Sequence, residues 1–189
     1  GYSNFKRFCT SYYPGNSTEL LEWIKEHRLE KEKIEYETIK WSKEALIIKN
    51  ADEKTIQEME IYKNGKIYLQ SLSSMLPPII LEPKEGTDIL DMAAAPGGKT
   101  TQIAALTNNK AHITACEKNK IRAERLKYNV EMQGANIVEV VNGRGEKIGE
   151  NYKEQFDKVL LDAPCSGEGR FTIYNVQSYK QWSEKTVNE

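Results

Sequence analysis

The sequence predicts an α/β protein: a parallel sheet with crossover helices, preceded by a small α+β appendage. Three observations carry this reading. Short apolar runs recur at 87–92, 111–116, 137–141 and 157–161. Helical segments at 99–106 and 120–133 separate the first three. The first run ends on an acidic residue, and a loop of small residues then opens a helix. Strand–helix alternation with β-rich apolar runs is the pattern of a sheet covered on both faces.

In chain order, residues 1–66 are polar and charged. Ser17 is a predicted N-cap, with Glu19 and Glu22 in the first turn and Leu20, Leu21, Trp23 and Ile24 at helical spacing. Residues 35–41 and 45–49 read as strands. Asn64-Gly65 reads as a hairpin turn before a strand at 66–69. These elements form an expected appendage over 1–66, with the larger domain over 67–189. Residues 142–155 read as a loop or short helix. The stretch 171–189 reads as a substrate-side loop leading into a helix at Ser183.

Composition narrows the function classes. The chain has 189 residues, with 27 Lys+Arg against 28 Asp+Glu, so a nucleic-acid contact needs a local patch. Cys9, Cys116, Cys165, His27 and His112 make no metal-ligand spacing, so neither a zinc site nor a disulfide framework is expected. No secretory segment is evident. The longest apolar stretch, 75–81, is too short to span a bilayer and carries Pro77-Pro78. A cytoplasmic, monomeric protein without membrane contact is expected.

The densest motif is Asp91-Met-Ala-Ala-Ala-Pro-Gly-Gly-Lys-Thr100. Small residues let a ligand approach the backbone, and a helix start offers free N–H groups. Parallel sheets bind ligands just past the carboxyl ends of their strands. A phosphate loop is the competing reading, because Gly98-Lys99-Thr100 fits its end. It lacks the first glycine, at Ala93, and Asp91 would repel a triphosphate. Glu117 ends the second run 26 residues beyond Asp91 (117 − 91), as a ribose-hydroxyl acceptor does in nucleoside-binding sheets. In the third motif, Leu160-Leu-Asp-Ala-Pro-Cys-Ser-Gly-Glu-Gly169, a strand ends at Asp162 and Cys165 follows in a tight turn. A thiolate there can meet a ligand, whereas Cys116, inside its strand, reads as a buried small hydrophobe.

The first and third motifs together resemble the NOL1/NOP2/Sun family of RNA 5-methylcytosine methyltransferases. Gln70-Ser-Leu-Ser-Ser-Met-Leu-Pro-Pro78 resembles the segment before that family's cofactor loop, and Arg7-Phe-Cys-Thr10 loosely resembles its Arg-Val-Asn-Thr signature. The resemblance implies a Rossmann-like, S-adenosylmethionine-dependent methyltransferase domain whose appendage helps bind ribosomal or transfer RNA. It implies that Ala94, Ala95, Pro96, Gly97, Gly98 and Lys99 cradle the methionine part of the cofactor. Glu117 would hold the ribose hydroxyls, with Arg122 near the family's basic position. Asp162 would sit by the target base and the methyl donor. Cytosine C5 is a poor nucleophile, so a cysteine thiolate adds to C6 and makes C5 enamine-like before methyl transfer. The base must leave its stack to reach such a pocket. Cys165 matches the family's Pro-Cys thiol, which assists product release.

Besides Phe8 and Cys9 in the Arg-Val-Asn-Thr signature, and Ala93 where the family often carries Cys, the sequence departs from the family at two places. No Thr-Cys motif, the family's nucleophile, follows Cys165, and Asn142-Gly-Arg144 stands where the family has Asn-x-Asp. A catalytically inactive cofactor- or RNA-binding module is therefore the alternative. Four strands where such a sheet has seven suggest a chain lacking its C-terminal half-sheet, with the strand at 157–161 left on an open edge. Lys118, Lys120, Arg122, Arg125 and Lys127, with Lys40, Lys43 and Lys49, are the candidate RNA-facing charges, although a solvated helix face explains the first group equally well.

Overall fold

A computed structural model describes residues 7–11, 34–163, 165, 171, 174, 176–179 and 182–183. The helix expected at Ser17 and the helix expected from Ser183 onward lie outside the described residues.

The first sheet is antiparallel, in the order β2-β3-β1-β4. Its strands are β1 (Arg7–Ser11), β2 (Tyr36–Ile39), β3 (Ser42–Ile48) and β4 (Ile67–Ser71). Lys40-Trp41 turns β2 into β3. Two short helices, α1 (Glu53–Glu58) and α2 (Glu60–Lys63), fill the span from β3 to β4. Asp52 caps α1 by accepting from the Thr55 N–H at 2.8 Å. Ile56, Met59 and Ile61 pack with Leu46, Ile48 and Ile67 under the sheet. Asn64-Gly65 is therefore no hairpin turn. It ends α2, and β4 pairs with β1, far away in sequence. Gly65 adopts φ +64°, and a Cβ there would lie 1.8 Å from the Met132 carbonyl oxygen. Glycine is required by that close approach rather than by a two-residue loop. Ile67–Ser71, just past residue 66, is the edge of this sheet that faces the second unit.

Ser71 ends β4 and caps α3 (Leu72–Leu81) by accepting from the Ser74 N–H at 3.3 Å. Pro77 and Pro78 lie inside α3 and remove two helical donors. Burial of Met75 and Pro78 offsets that loss, and Glu82 in the left-handed region closes the helix.

The second sheet is parallel, in the order β7-β6-β5-β8. It comprises β5 (Asp88–Asp91), β6 (His112–Glu117), β7 (Val138–Asn142) and β8 (Lys158–Leu160), connected by α4 (Gly98–Leu106), α5 (Lys120–Met132) and α6 (Gly145–Asn151). The pleat sends alternate residues to opposite faces. Ile89 and Ala115 join Ile103 of α4 with Leu126 and Val130 of α5. Leu90 and Cys116 meet Ile148 of α6 on the other face. After β7 the chain crosses back and enters β8 beside β5, which places a topological switch point between those two strands. Among the described residues β8 is an edge strand, with Val159 and Leu161 exposed.

A candidate active site at the switch point

The carboxyl ends of β5, β6 and β8 bring Asp91, Glu117 and Asp162 to one rim of the parallel sheet. The loop after β5 is anchored on both sides. The Met92 N–H donates to the Leu160 carbonyl at 2.9 Å, and the Ala94 N–H to the Cys116 carbonyl at 2.8 Å. Side chains of α5 then take the loop's carbonyls. Arg122 Nη2 donates to the Ala95 oxygen at 2.8 Å, and Asn129 Nδ2 to the Pro96 oxygen at 2.7 Å. Gly97, at φ +112°, turns the chain into α4, whose first N–H groups have no intrahelical acceptor.

Asp91 is 1% exposed and accepts a hydrogen bond from Thr100 Oγ1 at 2.7 Å. Burial pushes its carboxyl up to about 6, against the downward pull of Thr100 and the Lys99 charge. Lys99 reaches past Asp91. Its Nζ lies 2.6 Å from Asp162 Oδ2 and 3.5 Å from Ser74 Oγ.

Glu117 is buried at the end of β6. Its Oε1 accepts from the Asn119 N–H at 2.9 Å, and its Oε2 faces Arg122 Nη1 at 3.5 Å. Asn142 and Gly143 steady this strand end by donating to the Glu117 carbonyl at 2.8 and 3.0 Å.

Two cavities meet at Ala93. The first, about 270 Å3, is lined by Met92, Ala93, Glu117, Lys118, residues 143–146, Leu161 and Ala163. A Cβ on Gly145 would stand 2.9 Å from the Met92 oxygen, so glycine lets α6 start hard against the Met92 backbone in this wall. The second, about 180 Å3, is lined by Tyr68–Ser71, Ser74, Asp91, residues 93–96, Gly98, Lys99 and Asp162. The pair fits an adenosyl group carrying an amino-acid tail. A buried carboxylate suits a vicinal diol, apolar side chains flank the space beside it, and a second chamber opens on the other side of Ala93.

Residues 78–185 match the family described as "16S rRNA methyltransferase RsmB/F". The chain belongs to this family. It is 42% identical over 153 residues to the tRNA (cytosine(49)-C(5))-methyltransferase of Pyrococcus abyssi, covering 80% of this chain and 48% of that protein. It is 39% identical over 150 residues to ribosomal RNA small subunit methyltransferase F of Shewanella oneidensis, covering 78% of this chain and 31% of that protein. The chain thus spans half or less of these relatives' lengths. A crystal structure of a methyltransferase homolog protein from Pyrococcus horikoshii superposes with TM-score 0.76 at 32% identity, over 93% of this chain and 56% of that one.

Within this RsmB/F domain, the residues singled out by sequence take different places. Ala94, Ala95, Pro96, Gly98, Lys99 and Asp162 line the second cavity, and Glu117 lines the first. Gly97 and Arg122 line neither. Gly97 makes the turn, and Arg122 ties Ala95 to Glu117. Cys165 is exposed, three positions past Asp162. Cys116 is buried, donates to the Gly143 oxygen at 3.1 Å and has its thiol pushed up by burial, as a packing residue should. The phosphate-loop alternative fails, because the domain matches a methyltransferase family and Lys99 is committed to Asp162. Sequence reasoning missed the wall supplied by Tyr68, Gln70 and Ser74. The Gln70–Pro78 segment marked the place, but α/β periodicity carries no sign that β4 and α3 fold over the loop.

No helix among the described residues is long and apolar enough to cross a membrane.

Proposed function

We propose that the full-length protein methylates cytosine C5 in ribosomal or transfer RNA, acting in the cytoplasm and using S-adenosylmethionine. The observation that carries the reading is the Lys99–Asp162 pair, which closes a polar chamber next to a cavity holding the buried carboxylate of Glu117. S-adenosylmethionine supplies an electrophilic methyl group. Glu117 holds its ribose hydroxyls, and the backbone from Ala94 to Lys99 holds its methionine end, with Arg122 keeping loop and carboxylate in register. Asp162 faces the flipped base, and Lys99 fixes the carboxylate's position. Cys165 acts as the Pro-Cys thiol in product release; the family's Thr-Cys nucleophile is not among these 189 residues. Exposed Lys118, Lys120, Arg125 and Lys127 on and beside α5 offer charge to RNA phosphates. Calorimetry with S-adenosylmethionine tests the first half, where no binding by the protein with Asp91 and Glu117 intact contradicts the reading.

A second reading, a catalytically inactive cofactor- or RNA-binding module, is favoured by one observation. Arg144 lines the first cavity where the resembled family carries an acid. Methyl transfer to RNA by the full-length protein excludes it.

A further inference from the structure

The second cavity carries a hydrogen-bond relay that determines the orientation of one side chain. Gln102 is buried, and its Nε2 donates to the Met75 carbonyl at 3.0 Å. A carbonyl only accepts, so the Gln102 carboxamide can face just one way. Its Oε1 then accepts from Gln70 Nε2 at 2.9 Å. Gln70 must therefore donate to Gln102, which leaves Gln70 Oε1 as the exposed end of the relay. Among the described residues Oε1 has no hydrogen-bond donor. It lies over Gly98, where a Cβ would come within 2.8 Å of it, so a glycine keeps its space clear. The same cavity holds Lys99 and Asp162.

We propose that Gln70 is a specificity-determining residue whose fixed carboxamide oxygen accepts a hydrogen bond from the 4-amino group of the target cytosine. This rests on the reading above, in which Asp162, part of the wall of the second cavity, faces the flipped base, so that the base meets the methionine end of the cofactor there. A pinned acceptor matches the amino group of cytosine and opposes the 4-carbonyl of uracil, since two acceptors facing each other leave both without a proton. Gln102 is the positioning residue, because the relay through Met75 prevents the Gln70 amide from flipping. The methionine ammonium of the cofactor is the other donor such an oxygen can meet, and the test separates the two.

The full-length protein is assayed on an RNA it methylates, synthesised with either cytosine or 2-pyrimidinone at the target. The two bases differ only by the 4-amino group. Expected is a wild-type preference for cytosine in kcat/KM that falls about tenfold or more in Gln70→Leu, with S-adenosylmethionine affinity within about twofold of wild type. Gln102→Leu, which leaves the cavity wall intact, should lose part of the preference. An unchanged preference in Gln70→Leu overturns the proposal, as does a parallel loss of cofactor affinity. If Gln70→Leu loses cooperative melting, Gln70→Met, which keeps the length without the acceptor, decides by the same criterion. If the wild-type protein methylates no RNA cytosine, the functional reading falls, and this proposal with it.

Discussion

Lys99 Nζ lies 2.6 Å from Asp162 Oδ2, an ion pair drawn across the switch point from the first turn of α4 to the loop after β8. Ser74 Oγ is the third member at 3.5 Å, so α3 also reaches the pair. One contact thus joins the glycine loop, the strand that returns beside it and the segment entering from the first sheet.

The pair should matter more for chemistry than for stability. The Asp162 side chain is 56% exposed, and solvent screening holds such pairs to about 1 kcal/mol or less. Lys99→Met is expected to shift the melting temperature by only a few degrees. On the proposed reading it should lower single-turnover methyl transfer about 100-fold or more, because a charge beside the reacting base is lost. A variant that transfers methyl groups at the wild-type rate contradicts this assignment.

Glu117→Ala removes a buried carboxylate that the fold already holds in place with Asn119 and Arg122. Loss of a charged acceptor for two hydroxyls should weaken S-adenosylmethionine binding about 10- to 100-fold. Arg122→Leu should weaken it less, since that side chain holds the loop and Glu117 without lining either cavity. Calorimetric titration of both variants ranks them.

Gly65 tests how the two sheets are joined. Its φ of +64° and the 1.8 Å approach to the Met132 oxygen make Gly65→Ala both strained and crowded, at about 2–4 kcal/mol. Gly86→Ala is the control. Gly86 has φ +77° but nothing within 4 Å, so only the backbone strain of about 1–2 kcal/mol applies. Urea unfolding of the two variants should differ, and equal midpoints would remove the close contact from the account.

Asp91 gives a pH signature. Its folded-state carboxyl sits at about 6, above the ordinary 3.8, so the folded protein holds a proton that the unfolded chain has released. The associated stability is present below about pH 4 and is lost as pH rises through 6. Asp91→Asn abolishes that loss while keeping an acceptor for Thr100. The variant should gain on wild type between pH 4 and pH 8 by up to about 3 kcal/mol. Parallel stability curves for the two proteins over that range would show Asp91 to be unperturbed.

The parallel sheet was legible because its signals are local. Apolar runs ending on Asp91 and Glu117 announce strands, and Gly97-Gly98 announces the turn into α4. The first sheet was legible only in part. Three strands follow from β-rich runs at 35–41, 45–49 and 66–69, but the pairing of β1 with β4 is long-range, and Asn64-Gly65 carries the same residues whether it makes a hairpin or ends a helix. Helix α3 was hidden by Pro77-Pro78, since burial against the second unit overrides propensity there. At the site, the motifs marked the residues along the rim, while Lys99–Asp162 and the Gln70–Gln102 relay connect elements whose proximity only the fold establishes.

The central claim is tested most directly by incubating the full-length protein with S-adenosylmethionine labelled in its methyl group and with ribosomal or transfer RNA, then digesting the RNA and identifying the labelled nucleoside. The account predicts 5-methylcytidine as the labelled product, lost in Asp162→Asn. Labelled product at any other base, or equal labelling by Asp162→Asn, would contradict it.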